Sequence, residues 1–358
     1  RSADLIIIGG GIAGISLGRA LSKRGHQVTL LEAEDQLAYH TSGRSAQQLV
    51  LGYGPPAVRE LTDTTVKMLQ DEQRHLNEPV VWPSTFLMVG TAAEVDHSAY
   101  PGQVRLERPQ LRQLVPELRP ERFVAGALDE RSLRVRADAM IAWLAAEATN
   151  LDIRLGERVL SATRDPDGWV VTTNQAVYRS QTVINAAGAW ADQVAELFGV
   201  APLGLTPLRR TAAILNIDTM LRPEQPMVMK VDGYYYRYED DRAILASPQE
   251  AVASPPEDAQ PRAEDVDALI QEIQADTTLH VTGIRQAWTG LRTEADDGVP
   301  VIGFDQKPGF FWLAGQSGYG FQTSLGFARL AADLILDGAA GQWVTEQSVR
   351  DLSPARFR

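Results

Sequence analysis

Gly9, Gly11 and Gly14 stand in the G-x-G-x-x-G spacing, and Glu32 follows at the end of the next apolar run. Residues of these types at these distances hold a dinucleotide. Gly9 makes a tight turn, Gly11 lets a pyrophosphate approach the backbone, and Gly14 lets a helix lie close to a strand. Ile12 and Ala13, between the glycines, join the same cradle, and the helix that follows has free N–H groups and partial positive charge that suit phosphates. Glu32, with Ala33 beside it, is placed to accept hydrogen bonds from ribose hydroxyls. A second small, hydrogen-bonding segment runs Thr41-Ser42-Gly43-Arg44-Ser45-Ala46. It reads either as a backbone cradle for a phosphate or ribityl chain, or as a solvated loop with an N-cap at Ser42 or Ser45. No other constellation competes. The five histidines show no metal-ligand spacing, and Gly315-x-Ser317 is no nucleophile elbow because position 319 is tyrosine.

The elements around these residues follow from periodicity. Leu5–Ile8 and Val28–Leu31 are unbroken apolar runs, the mark of strands buried on both faces of a parallel sheet, and residues 15–24 read as an amphipathic helix between them. Helices are expected at 57–75, within 106–118, at 138–149 and at 265–276, and a loop tip at 93–100. Residues 79–90 read as a strand pair and 123–128 as a strand. Alternating strands near 153–155, 159–164 and 169–173 surround the hairpin signal Asp165-Pro166-Asp167-Gly168. Residues 182–192 run a buried strand into Ala186-Ala187-Gly188, where Gly188 either admits a ligand or merely packs. Strands are expected at 208–217, 226–231, 234–238 and 243–247, with 254–260 an exposed loop and 281–290 leading back to the nucleotide domain. Near the end, strand 310–314 enters a glycine-rich turn followed by helix 325–336.

Bulk properties narrow the class. At 358 residues the chain suits two domains, and its 44% hydrophobic and 22% charged residues are those of an ordinary globular protein. A net charge of −12 argues against a nucleic-acid partner. No apolar run approaches the roughly 18 residues of a membrane span. The first strand begins at once, leaving no room for a signal peptide, so a cytoplasmic protein is expected. With no cysteine there is no disulfide, thiolate metal site or cysteinyl-flavin link.

The glycine motif with Glu32, the Thr41–Ala46 segment, residues 182–192 and residues 309–324 together resemble the FAD-dependent amino-acid oxidoreductases of the D-amino-acid oxidase and glycine oxidase superfamily. The likeness covers nearly the whole chain and is greatest to the bacterial D-arginine dehydrogenase branch. It implies non-covalent FAD, a choice over NAD that spacing alone does not make. It also implies an α/β fold: a Rossmann-type, GR2-like FAD-binding domain (1–76, 136–203 and 287–358) with an inserted, mainly antiparallel β substrate domain (77–135 and 204–286). Besides the residues above, the implied cofactor contacts are the Val159 backbone, Ala187, Gly188, Trp190, Gly290, Arg292, Gly315, Gly318, Tyr319, Gly320, Phe321, Gln322 and Thr323.

The same resemblance assigns substrate residues. Arg292 and Arg210 would clamp a carboxylate, since the guanidinium fork binds one bidentately; the alternative for each is a solvated ion pair. Tyr235, or Tyr236 by a shift of one, would touch the carboxylate. Gly318 would offer its carbonyl to the amine, Gln322 its side chain near the flavin, and Tyr53 a mobile lip. Two positions depart from the branch: Gln48 stands where it has histidine, and Leu87 where it has the glutamate that holds a guanidinium. The implied activity is oxidative deamination of D-amino acids with apolar or uncharged side chains, by hydride transfer to flavin N5, to imino and 2-oxo acids. Two alternatives stay open: a secondary-amine oxidase (sarcosine, N-methyl amino acids, proline or glycine), and the flavin subunit of a larger electron-transfer complex. The implied partners are a small amino-acid substrate and an electron acceptor (quinone, dye-like or oxygen), in a monomer or homodimer.

Overall fold

The computed structural model describes residues 1–358 and is built around two sheets. The first has six strands in the order Val301–Phe304, Phe310–Ala314, Thr182–Asn185, Leu5–Ile8, Val28–Leu31 and Leu151–Arg154. All neighbours are parallel except Val301–Phe304, which runs antiparallel to Phe310–Ala314. Alternation divides the apolar strands between two cores. Leu5 and Ile7 join Ile184, Phe311 and Leu313 under helices Ile12–Lys23, Pro56–Glu72, Ala137–Glu147 and Gly320–Leu336. Ile6 and Ile8 join Val183, Phe310 and Trp312 under the antiparallel ribbon Val159–Asp165, Gly168–Thr173 and Val177–Ser180. No helix is long and apolar enough to cross a membrane.

The second sheet has nine strands. Its spine is Thr206–Ile217, which pairs with Ala243–Ser247 and Val252–Ala253 on one side and with Val281–Glu294 along its whole length on the other. The order continues through Tyr235–Asp240, Met227–Lys230, Phe86–Gly90, Ala125–Asp129 and Val104–Glu107. Met227–Lys230 and Phe86–Gly90 are parallel; every other pair is antiparallel. One face packs Leu87, Val89 and Tyr236 against Leu111 and Leu269, which lie on the helices Arg108–Leu114 and Ala263–Asp276. The other face carries Phe86, Met88, Ala212 and Tyr235.

Several expectations from sequence are corrected. Both strands read within residues 79–90 are present, but they do not pair with each other: Val81–Pro83 joins Leu133–Val135 in a small third sheet, while Phe86–Gly90 enters the nine-stranded one. Residues 93–100 are not a loop tip but overlap the helix Ala92–Ser98. Thr91 and Glu94 start it by a reciprocal capping box. The stretch from 281 does not end at 290; it stays in the ladder to Glu294, so residue 287 lies within a continuous strand. Leu87 is buried on the helix-covered face, because its neighbours Phe86 and Met88 take the opposite one.

Helices Pro56–Glu72 and Gly320–Leu336 cross closely at Gly326, where a Cβ would collide with the Leu61 carbonyl and where the Gly326 amide donates to Thr65 Oγ1 at 2.9 Å. Gly326→Ala should therefore destabilise the fold by about 1–3 kcal/mol through overpacking. Thermal or urea unfolding checks this; an unchanged midpoint would mean that the crossing gives way freely.

Candidate active site

A cleft runs between the sheets as two connected cavities that share the walls Gly11, Thr41, Ser42, Ala186 and Gly188. The outer cavity, about 320 Å³, lies over the carboxyl ends of Leu5–Ile8 and Val28–Leu31. Gly9 has φ +111°, and a Cβ there would collide with the Ala186 carbonyl, so only glycine lets these two strand ends meet. Glu32 is held at the wall by two backbone amides, Gly10 N–H at 2.6 Å and Glu34 N–H at 2.8 Å. A carboxylate has about four acceptor sites, so hydroxyl donors in the cavity can still use it. Ile12 N–H, in the first turn of its helix, donates to Ser42 Oγ at 3.0 Å, tying the Thr41–Arg44 turn to the glycine motif.

The inner cavity, about 150 Å³, has the exposed face of the nine-stranded sheet as one wall. The register sets Arg210 opposite Gly290, and Arg292 opposite Leu208. Alternate residues share a face, so Arg210 and Arg292 are diagonal neighbours looking the same way. Gly290 opposite Arg210 and Ala212 one step further along the face are small and line the same cavity. Neither guanidinium has a carboxylate partner within the chain, and Arg210 Nε is buried with no hydrogen-bond partner. Burial, reinforced by repulsion from Arg292, lowers the pKa of Arg210 to about 10. Glu250 lies near enough to favour the Arg210 charge, but its Oε1 accepts from Thr211 N–H at 2.6 Å, and burial raises its own pKa. Tyr235 faces the cavity, whereas Tyr236 donates from the opposite face to Glu117 at 2.9 Å, which favours the first of the two tyrosine alignments. The loop 315–320 closes the site: Ser317 N–H donates to the Thr293 carbonyl and Ser317 Oγ–H to Glu294, both at 2.9 Å, and Gly318 lies against the Arg292 guanidinium. The helix that follows has no side-chain cap, and the first residues of Gly320–Leu336 and Ile12–Lys23 line the cleft.

The family model described as "DAO: FAD dependent oxidoreductase" matches residues 4–334. The chain belongs to this family. It is 25% identical to the mitochondrial dimethylglycine dehydrogenase of Rattus norvegicus over 96% of the chain but 46% of that protein, so it spans about half the length of this relative. It is 25% identical to the glycine oxidase of Geobacillus kaustophilus over 93% of the chain and 92% of that enzyme. In fold it is similar to L-proline dehydrogenase from P. horikoshii, with a TM-score of 0.86, 19% identity and coverage of 100% and 98%. These likenesses point to glycine oxidase-like members of the family rather than to the D-arginine dehydrogenase branch in particular.

The cofactor of this FAD-dependent oxidoreductase is FAD, and the cleft fits it. The outer cavity offers the glycine cradle, Glu32 and the N-terminal end of helix Ile12–Lys23 to a dinucleotide. The inner one presents buried atoms without partners, Gln316 Nε2 and Thr293 Oγ1, which suit the polar edge of a flavin ring. Ala33, Val159, Ala187 and Trp190 line the outer cavity, while Ile12, Ala13, Ser45, Ala46, Gly290, Gly320 and Phe321 line the inner one.

Other expected residues are elsewhere. Gly14 and Gly43 only pack, against the Gly9 and Ala38 carbonyls. Thr323 is buried and donates back to the Tyr319 carbonyl at 2.7 Å. Gln322 reaches the cavity wall, yet its amide is committed to Tyr53 O, Thr62 Oγ1 and Val50 N–H, which turns it away from a flavin. Arg44 lines the cavity, but its guanidinium is tied to Asp258 at 2.5 Å and the Thr289 carbonyl at 2.8 Å. Gly315 is outside the walls. Tyr53 and Tyr319 also lie outside them, paired at 5.4 Å between ring centroids; burial raises the Tyr319 pKa to about 12. Sequence reasoning missed Gln316 and Thr293 as site residues, although both flank stretches it had singled out.

Two outcomes follow from this geometry. Gly11→Val puts a branched side chain against Ser42 Oγ and should yield folded protein with little bound flavin, read from the ratio of visible to ultraviolet absorbance. With its pKa lowered to about 10 by burial, Arg210 should lose charge progressively as pH rises from 9 to 11, and the affinity of a simple carboxylate such as acetate should fall with it. Perturbation of the flavin spectrum measures it, and affinity that is flat across that range would show that Arg210 keeps its charge up to pH 11.

Proposed function

We propose that this FAD-dependent oxidoreductase oxidises the carbon–nitrogen bond of a small amino acid with a substituted nitrogen, such as sarcosine or proline. The observation that carries the reading is the pair Arg210 and Arg292: two guanidiniums on one face, without a carboxylate partner, in the wall of the inner cavity. Uncompensated buried cations require an anion, and a planar fork suits a carboxylate. The names of the relatives add support, since dimethylglycine, glycine and L-proline are all small amino acids. Oxidation of D-amino acids, the reading expected from sequence, is less well supported. Its side-chain argument rested on Leu87, which lies outside the cleft.

The residues act by binding and orientation. Arg292 and Arg210 hold the carboxylate, with Tyr235 beside them, and so fix the neighbouring carbon. The inner cavity wall includes three arginines and no Asp or Glu. A substrate ammonium is therefore disfavoured, and the nitrogen enters as the neutral amine, with its lone pair free and without need of a protein base. Bound FAD supplies the two-electron acceptor for the hydride of that carbon.

Anaerobic mixing of the holoenzyme with sarcosine, L-proline, glycine, D-leucine and D-arginine tests the reading. Flavin absorbance should bleach fastest with the secondary amines, and Arg292→Met should lower kcat/KM for them by about a hundredfold. Bleaching by D-leucine alone would restore the D-amino-acid reading, and bleaching by none would remove the function.

A further inference from the structure

Gln48, a residue of the inner cavity wall, carries a buried hydrogen-bond acceptor that no group of the chain uses. Its Nε2 donates to the Ser84 carbonyl at 2.9 Å, and because a carbonyl can only accept, the amide orientation is fixed. The remaining atom, Oε1, is buried and has no partner. Gln48 lines the same cavity as Arg210, Arg292 and Tyr235. Its backbone is anchored too, since it pairs with Arg134 in the small third sheet. The preceding residue, Gln47, has φ +62°, a strained conformation for a non-glycine residue that turns the chain into this position. Of the other unpartnered buried atoms lining this cavity, Arg210 Nε and Gln316 Nε2 are donors and the Thr293 hydroxyl can be either. Gln48 Oε1 alone among them is purely an acceptor.

We infer that Gln48 accepts the N–H of the substrate nitrogen and thereby selects primary and secondary amines over tertiary ones. The inference rests on the carboxylate reading above and deepens it. A buried carbonyl oxygen left without a donor loses stabilisation, so a ligand that supplies one is favoured. A neutral secondary amine such as sarcosine has one N–H. A neutral tertiary amine such as N,N-dimethylglycine has none, and the cavity's arginines oppose the protonated form that would restore it. Gln48 is thus a substrate-binding residue whose partner is the nitrogen, while the arginines hold the carboxylate.

The test uses the holoenzyme at pH 9 with three ligands. Sarcosine and butyrate differ by NH against CH2, and N,N-dimethylglycine lacks the N–H when neutral. Dissociation constants come from the concentration dependence of anaerobic flavin bleaching, or from flavin spectral shifts where no bleaching occurs. Gln48→Met, similar in length but without the acceptor, should worsen the sarcosine-to-butyrate affinity ratio about tenfold and leave N,N-dimethylglycine within about twofold. Gln48→Glu keeps an acceptor and should keep the ratio, even if its charge weakens all three ligands. A variant that merely loosens the pocket moves every ligand alike. An unchanged ratio in Gln48→Met, or an equal loss for N,N-dimethylglycine, overturns the inference while the arginine clamp stands. Wild-type enzyme that responds to none of the three overturns both.

Discussion

Two like charges held side by side are what the rest of the structure must sustain. Arg210 and Arg292 repel and lack an ion-pair partner in the chain, and Arg210 is held in a poorly solvated place. Left to themselves they would swing apart. What prevents this is the long ladder between Thr206–Ile217 and Val281–Glu294, locked on its other face by the buried hydroxyl pair of Thr211 and Thr289 at 2.8 Å. Local stability is thus given up at the site and recovered in the cores on either side. The glycine-rich loop docks on this same ladder through Ser317, so one strand positions both that loop and Arg292.

The nucleotide half was legible because its signals are local. The run from Leu5 to Gly14 contains strand, turn and helix in order, and each has a mechanical reason that holds without knowing the rest of the chain. The capping box at Thr91 and Glu94 was equally local and marks a start that the loop reading passed over. The small sheet was not legible. Its strands Gln48–Leu49, Val81–Pro83 and Leu133–Val135 are two or three residues long and drawn from distant parts of the chain.

Alternation explains the site's main surprise. Placing a residue by resemblance leaves its face undecided, and on a strand a shift of one reverses it. Leu87 was assigned a role that only Phe86 or Met88 has the orientation to fill. The same rule separates Tyr235 from Tyr236. Gln322 and Arg44 fail for another reason: their positions lie at the cavity, but competing partners take their polar groups. No spacing in the sequence reports such competition.

The order in which the sheets are completed bears on how the protein is made. Phe310–Ala314 pairs with Thr182–Asn185, and Val281–Glu294 pairs with Thr206–Ile217. A ribosome delivers the earlier member of each pair long before the later one. Until then both sheets carry an open edge, rich in Val, Ile and Leu, that another nascent chain could join. The ladder that brings Arg292 beside Arg210 therefore makes biosynthesis the vulnerable period, when chaperone occupancy or slow translation would govern yield more than the stability of the finished fold.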